Sequence, residues 1–146
     1  MPVQRRSLCG FGVLVLGVSL AAQAKPQTYK GLDVRVTGIE RATNVSLSDC
    51  PAGANIVRGV IKPGDTQEFA TVKADFAVTP AFKPGALAKP VLHAEDGKTF
   101  NTAQSFGDIG TTQTFSCNFS FRVPKGTKFS RLALDTVMID LAGVEK

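Results

Sequence analysis

Beyond its first two dozen residues the chain alternates apolar and polar positions. Leu32, Val34 and Val36 alternate with Asp33, Arg35 and Thr37, and Ala70, Val72, Ala74, Phe76 and Val78 oppose Thr71, Lys73, Asp75 and Thr79. The most regular run is TFSCNFSFRVPKG, where Phe115, Cys117, Phe119, Phe121 and Val123 share one parity and Thr114, Ser116, Asn118, Ser120 and Arg122 the other. A period of two marks a half-buried β-strand. Weaker strand signals lie at Val45–Leu47, running toward Cys50, and at Asn55–Ile61, Val91–Ala94 and Thr99–Phe106. In the last strand, Leu132 and Leu134 fall on one parity and Val137, Ile139 and Leu141 on the other. One extra residue in a ladder flips the facing side chains, so this predicts a β-bulge near Asp135-Thr136.

Turn residues punctuate these strands. Lys62-Pro63-Gly64-Asp65 combines a fixed φ with a permissive glycine, and Glu95-Asp96-Gly97-Lys98 is an Asp-Gly hairpin signal. Pro80 to Pro90 (PAFKPGALAKP) holds three prolines and a glycine, which excludes a central strand or a helix interior. Gly107 to Thr112 is a second loop, and Pro124 ends the most regular strand because it cannot donate a ladder hydrogen bond. No stretch after residue 24 sustains helical spacing. Seven or eight short strands and no helix predict an all-β, antiparallel two-sheet sandwich.

The N-terminus is of another kind. Arg5 and Arg6 precede an apolar run from Leu8 to Ala22, closed by Ala22-Gln23-Ala24. That order reads as a cleaved signal peptide over residues 1–24, and the run is short for a bilayer span, which takes roughly 20 apolar residues. The arginine pair also fits a twin-arginine export signal. Cys9 leaves with this peptide. The mature domain, residues 25–146, is then exported to the periplasm or the extracellular space, with no transmembrane segment. Without Arg5 and Arg6, the chain's 17 basic side chains fall to about 15 against 12 acidic ones. Its lysines, among them Lys30, Lys62, Lys73, Lys83, Lys89, Lys98 and Lys125, are spread out instead of clustered, so no nucleic-acid partner is expected.

The remaining pair, Cys50 and Cys117, predicts a structural disulfide in an exported domain. No Cys-x-x-Cys spacing is present to activate a thiol.

Candidate chemistry is sparse. His93 is the single histidine. Blue-copper and catalytic zinc sites commonly need at least two. A Ser-His-Asp arrangement would have to use His93, and no Gly-x-Ser-x-Gly elbow accompanies it. Asp96 and Glu95 belong to a hairpin tip, and neither a calcium-loop run of aspartates nor a phosphate-binding glycine loop occurs. No metal or cofactor is expected. Asn44-Val45-Ser46 and Asn118-Phe119-Ser120 are Asn-x-Ser triplets of a kind that arise by chance, and Asn118 is predicted to face solvent. The proline-rich segment, with Phe82, Lys83, Leu87 and Lys89, is a candidate partner-binding loop. The favoured reading of Phe82 and Leu87 is that they fold back and plug the open end of the sandwich.

Four segments carry a family likeness: Glu68-Phe69-Ala70-Thr71-Val72, Glu95-Asp96-Gly97-Lys98-Thr99-Phe100, Phe119-Ser120-Phe121-Arg122-Val123-Pro124-Lys125-Gly126 and Leu132-Ala133-Leu134. Together they resemble the immunoglobulin-like domains of uncharacterised function found in exported bacterial proteins and lipoproteins, whose relatives include a small secreted mycobacterial antigen. The Phe-x-Val-Pro-x-Gly close of the penultimate strand is the family's most recognisable feature. Ile109-Gly110-Thr111-Thr112 stands where the family has a polar-Pro-Gly turn, and the Pro80–Pro90 segment replaces an Asn-rich turn. The resemblance implies an immunoglobulin-like sandwich and supplies no catalytic residues.

The expected function is therefore a non-catalytic binding or accessory module of the cell envelope or extracellular space, recognising an unknown protein or envelope component through loops or a sheet edge. A small hydrolase or metal-dependent enzyme using His93 is the rival from another class. A structural or stress-related envelope protein is the third.

Overall fold

A computed structural model describes residues 24–51, 53 and 56–145. Residues 1–24, expected to be a cleaved signal peptide, lie outside the described residues except for Ala24. Ten strands follow in order: β1 (Gln27–Tyr29), β2 (Leu32–Ala42), β3 (Asn44–Ser48), β4 (Ile56–Val60), β5 (Gln67–Val78), β6 (Val91–Ala94), β7 (Thr99–Asn101), β8 (Thr114–Pro124), β9 (Phe129–Leu134) and β10 (Val137–Asp140). No helix occurs among the described residues.

Two antiparallel four-stranded sheets, ordered β1-β2-β5-β8 and β10-β9-β6-β7, make the sandwich, and β3-β4 forms a separate two-stranded ribbon. The spine is the β5–β8 ladder, in register from Gln67↔Pro124 to Ala77↔Thr114. Its inward residues are the alternating apolar set of the sequence: Ala70, Val72, Ala74 and Phe76 beside Cys117, Phe119, Phe121 and Val123, all buried. They face Leu92, Leu132, Leu134 and Ile139 of the second sheet within one core. Phe76 lies parallel to its cross-strand neighbour Phe115 at 4.9 Å and meets Phe106 and Phe119 edge-on at 5.6 and 6.4 Å. Such pairs add to plain burial because ring edges and faces carry opposite partial charge. Asn118 faces solvent, as its parity requires.

Three sequence expectations are corrected. The parity change at Asp135-Thr136 is a two-residue hairpin, not a bulge: Leu134 pairs with Val137 and Leu132 with Ile139, so all four stay on one face. Asp135 takes a left-handed φ of 56°, a conformation aspartate tolerates better than most residues. The expected strand Thr99–Phe106 stops at Asn101, and only isolated bridges at Thr102 and Phe106 follow. Residues 27–29, where the alternation gave no strand, form β1, joined to β2 through Lys30 and Gly31 at φ 48° and 80°.

A bulge does occur, in β2, between Val36 and Gly38. Before it Leu32, Val34 and Val36 face inward; after it the pairings Ile39↔Val72 and Arg41↔Ala70 transfer the inward parity to odd positions. Arg41 thereby reaches the end of the sandwich. There Nη1 donates to Glu68 at 2.5 Å, Nη2 to Glu145 at 3.1 Å and to the Thr127 carbonyl, Nε also meets Glu145, and the guanidinium lies 4.9 Å from the Phe129 ring centre. The hydrogen bonds to Glu145 and then Glu68, with their charges, raise the Arg41 pKa against the lowering effect of burial. A raised pKa on a cation gives stability that is present below the unfolded value and lost only above it. Arginine's contribution to this clamp is therefore constant across the neutral range.

The opposite end is closed by the proline-rich segment. Phe82 and Leu87 pack against the core, Ala88 N–H donates to Tyr29 Oη at 3.0 Å, and Lys30 Nζ reaches the Ala86 carbonyl at 3.1 Å. Gly31 permits this approach, since a Cβ there would stand 2.4 Å from the Phe82 backbone. Gly31→Ala should cost about 2–3 kcal/mol, combining backbone strain with that clash, and should raise hydrogen exchange around Phe82. Denaturant melts with exchange mass spectrometry check both. A variant as stable as the parent would contradict the packing described.

Candidate binding surface

The ribbon is built from a turn-bounded hairpin that cannot bury both faces. Asn44 pairs with Val60, Val45 with Gly59, Ser46 with Arg58, Leu47 with Val57 and Ser48 with Ile56. Directly opposed residues share a face. One face carries Val45, Leu47, Val57 and Gly59, and the other Asn44, Ser46, Ser48, Ile56, Arg58 and Val60. Gly59 rests over Phe69, whose ring tip would stand 2.8 Å from a Cβ at that position. Phe69 and Ile61 are buried outside the main core, as a satellite beneath the ribbon.

Both ends of the ribbon are tied down. At its base Ile61 N–H donates to the Thr43 carbonyl at 2.8 Å. At its tip Cys50 is bridged to Cys117 of β8, with Cα atoms 5.5 Å apart, so the expected disulfide is present. Both cysteines are buried. Cys50 also exchanges backbone bonds with the segment after β7: its N–H donates to Ser105 O at 3.0 Å and its carbonyl accepts from Gly107 at 2.9 Å. Asp49 accepts the Ser105 N–H at 2.8 Å.

Gln104 is the hub of this region. It is 4% exposed, and its carboxamide takes the place of a missing strand beside β8. Oε1 accepts Ser120 N–H at 2.7 Å, while Nε2 donates to Asn118 O at 2.7 Å and Ser48 O at 2.8 Å. A buried backbone group must find a partner, and one side chain supplies three here.

What the ribbon leaves open is β4. Among the described residues no strand pairs with its far side. Ile56, Val57 and Val60 are 68, 62 and 54% exposed, and among the described residues the one other large exposed apolar residue is Met138 on the edge strand β10. Shallow clefts flank the ribbon: one of about 440 Å³ reaches from Asn44 and Ser46 to Thr71 and Lys73, another of about 210 Å³ runs between Val57 and Ala103. The sequence signal for β4 was weak because its apolar residues fall on both parities. That pattern is what a strand exposed on two faces produces.

The other candidates divide as follows. His93 lies on β6 opposite Thr99 and Arg131, with its neighbours Leu92 and Ala94 buried. Its parity therefore places it on the outer face of the second sheet, and it lines none of the clefts named in this section. Among the described residues no group of three or more His, Cys, Asp and Glu side chains converges as a metal site. Phe82 and Leu87 line a cleft of about 320 Å³ against Phe106–Gly110 but are half-buried against the core, while Lys83 and Lys89 are exposed. Lys89 Nζ donates to the Ala103 carbonyl at 3.4 Å. A depression of about 780 Å³ lies on the outer face of the first sheet, where Asp75 accepts from Ser116 at 2.6 Å and Asp33 from Thr28 at 2.9 Å. Arg41 and its two carboxylates satisfy one another and offer no free group.

The architecture defines a disulfide-linked β-sandwich carrying a strapped side ribbon. Compared with family models and with curated proteins, the chain matches none. Among solved structures it is similar to an uncharacterised β-sandwich protein from Clostridium difficile 630, at 9% identity over 82% of this chain and 90% of that one, with a TM-score of 0.49.

Two substitutions test the strap. Gln104→Leu strands the Ser120 N–H and two carbonyls and should lower stability by about 3 kcal/mol. Replacing Cys50 and Cys117 together by alanine should remove up to roughly 4 kcal/mol, by loosening the unfolded chain across the bridged loop. Urea melts measure both, and the oxidised parent's intact mass should lie about 2 Da below its reduced form. A Gln104→Leu protein with unchanged midpoint would refute the hub.

Proposed function

We propose that this chain is an exported, non-catalytic accessory module of the immunoglobulin-like kind, which recognises a partner at the cell envelope or outside the cell. The observation that carries the reading is the outer side of β4, an edge strand with three large apolar side chains more than half exposed. Soluble proteins usually blunt such edges with charge, proline or covering loops, because unpaired N–H and C=O groups accept foreign strands. An added strand gains backbone hydrogen bonds from the edge and specificity from its alternating side chains. The buried Cys50–Cys117 bridge supports an oxidising destination, where structural disulfides persist. Among the described residues no helix is long and apolar enough to cross a membrane. The likeness of the Phe119–Gly126 close to exported bacterial immunoglobulin-like domains points the same way.

The test compares the oxidised protein with Ile56→Lys/Val57→Lys as bait for envelope extract. Both positions are exposed, so stability should change by no more than about 0.5 kcal/mol while the retained partner is lost. A Lys83→Glu/Lys89→Glu variant, altered in the proline-rich loop, should retain it. Loss in the loop variant alone would move recognition to that loop, and an identical harvest from all three proteins would refute recognition through either surface.

A further inference from the structure

The side chains of β4 say what kind of strand it accepts. Ile56, Arg58 and Val60 share one face of the ribbon, opposite Ser48, Ser46 and Asn44. Arg58 is exposed, and its guanidinium makes no hydrogen bond or ion pair with the described residues. Neither ribbon strand contains a carboxylate. The edge thus presents a free cation between two exposed apolar side chains, with no acid of its own to neutralise it.

In a strand laid along the outer side of β4, the residues opposite Ile56, Arg58 and Val60 stand at alternate positions and project to the same face. Taking as its basis the edge-recognition reading above, we propose that β4 binds an extended segment of a partner protein with the pattern apolar-x-acidic-x-apolar. Its carboxylate lies opposite Arg58, and its apolar residues lie against Ile56 and Val60. Intervening residues fall on the face of Val57 and Gly59, where Phe69 already packs against the glycine, so small side chains suit those positions.

A second copy of this chain fits less well. Antiparallel pairing of β4 with itself about Arg58 sets like charges directly opposite each other, which is destabilising. The chain's other exposed edge with an acid is β10, through Met138 and Asp140. Asp140, however, already accepts the Ala142 N–H at 2.9 Å and stands across the ladder from Arg131.

The experiment titrates the oxidised protein with acetylated, amidated peptides centred on Val-Thr-Glu-Thr-Val, followed by backbone NMR. A peptide with Lys for Glu, and one with Pro for both Thr, are the comparators. The Glu peptide should shift and protect amides of residues 56–60 and bind roughly tenfold more tightly than the Lys peptide, given typical charge-pair and like-charge terms. Arg58→Glu should invert that order, and the Pro peptide should not bind. Equal binding of the Glu and Lys peptides would overturn the acidic pattern while leaving edge recognition intact. No binding of any peptide, with envelope capture still lost in Ile56→Lys/Val57→Lys, would do the same. No binding with capture unchanged would remove both readings. Concentration-dependent self-association abolished by Asp140→Lys would assign the edge to a second copy and overturn the proposal.

Discussion

The free edge of β8 has to be closed, and at its middle a single buried carboxamide does the closing. β8 is the longest apolar strand at a sheet margin, and an open edge of that length and composition would be a template for aggregation. Gln104 substitutes for a strand there, pairing with Asn118 and Ser120 on one side and Ser48 on the other. That one side chain fixes the path after β7, which in turn receives Cys50, which carries the disulfide to Cys117. The ribbon's position follows from this chain of contacts. The middle of the eleven-residue β8 margin is thus occupied, while the five residues of β4 keep an unpaired outer side.

The two ends of the sandwich are sealed by different chemistry. At one, the Val36/Gly38 bulge turns Arg41 inward, and Glu68, Glu145 and the Thr127 carbonyl engage four of its five donors. Removing one charge from this partly buried set would leave its partners uncompensated. At the other end, apolar Phe82 and Leu87 fill the opening, and the backbone comes close enough to demand glycine at position 31. The proline-rich segment is thereby an internal packing element over part of its length, with Pro80, Ala81, the stretch from Lys83 to Ala86 and Lys89 turned to solvent.

How legible this was in the sequence depends on the range of the interaction. Alternation in residues 70–78 and 114–124 identified the core ladder, because a half-buried strand writes its burial directly into parity. The Cys50–Cys117 bridge was readable by counting. The hairpin at Asp135-Thr136 was not, since a two-residue reversal and a bulge both change parity and only pairing separates them. Gln104 left no local trace: an amide that bonds backbone groups 14 to 56 residues away looks like any loop glutamine. Arg58 and the apolar residues of β4 were equally mute, because exposure of a strand depends on what fails to cover it.

Strapping the ribbon at both ends also sets how it carries force. A strand added to β4 would pull on a hairpin held at its base by the Thr43–Ile61 bond and at its tip by a covalent bridge into β8. Tension along that edge would pass to the β5–β8 ladder, whose rungs share it in shear, and the hairpin could not peel away rung by rung from its tip. Parting the hairpin from the sandwich at its tip would therefore mean breaking a covalent bond, not a run of hydrogen bonds.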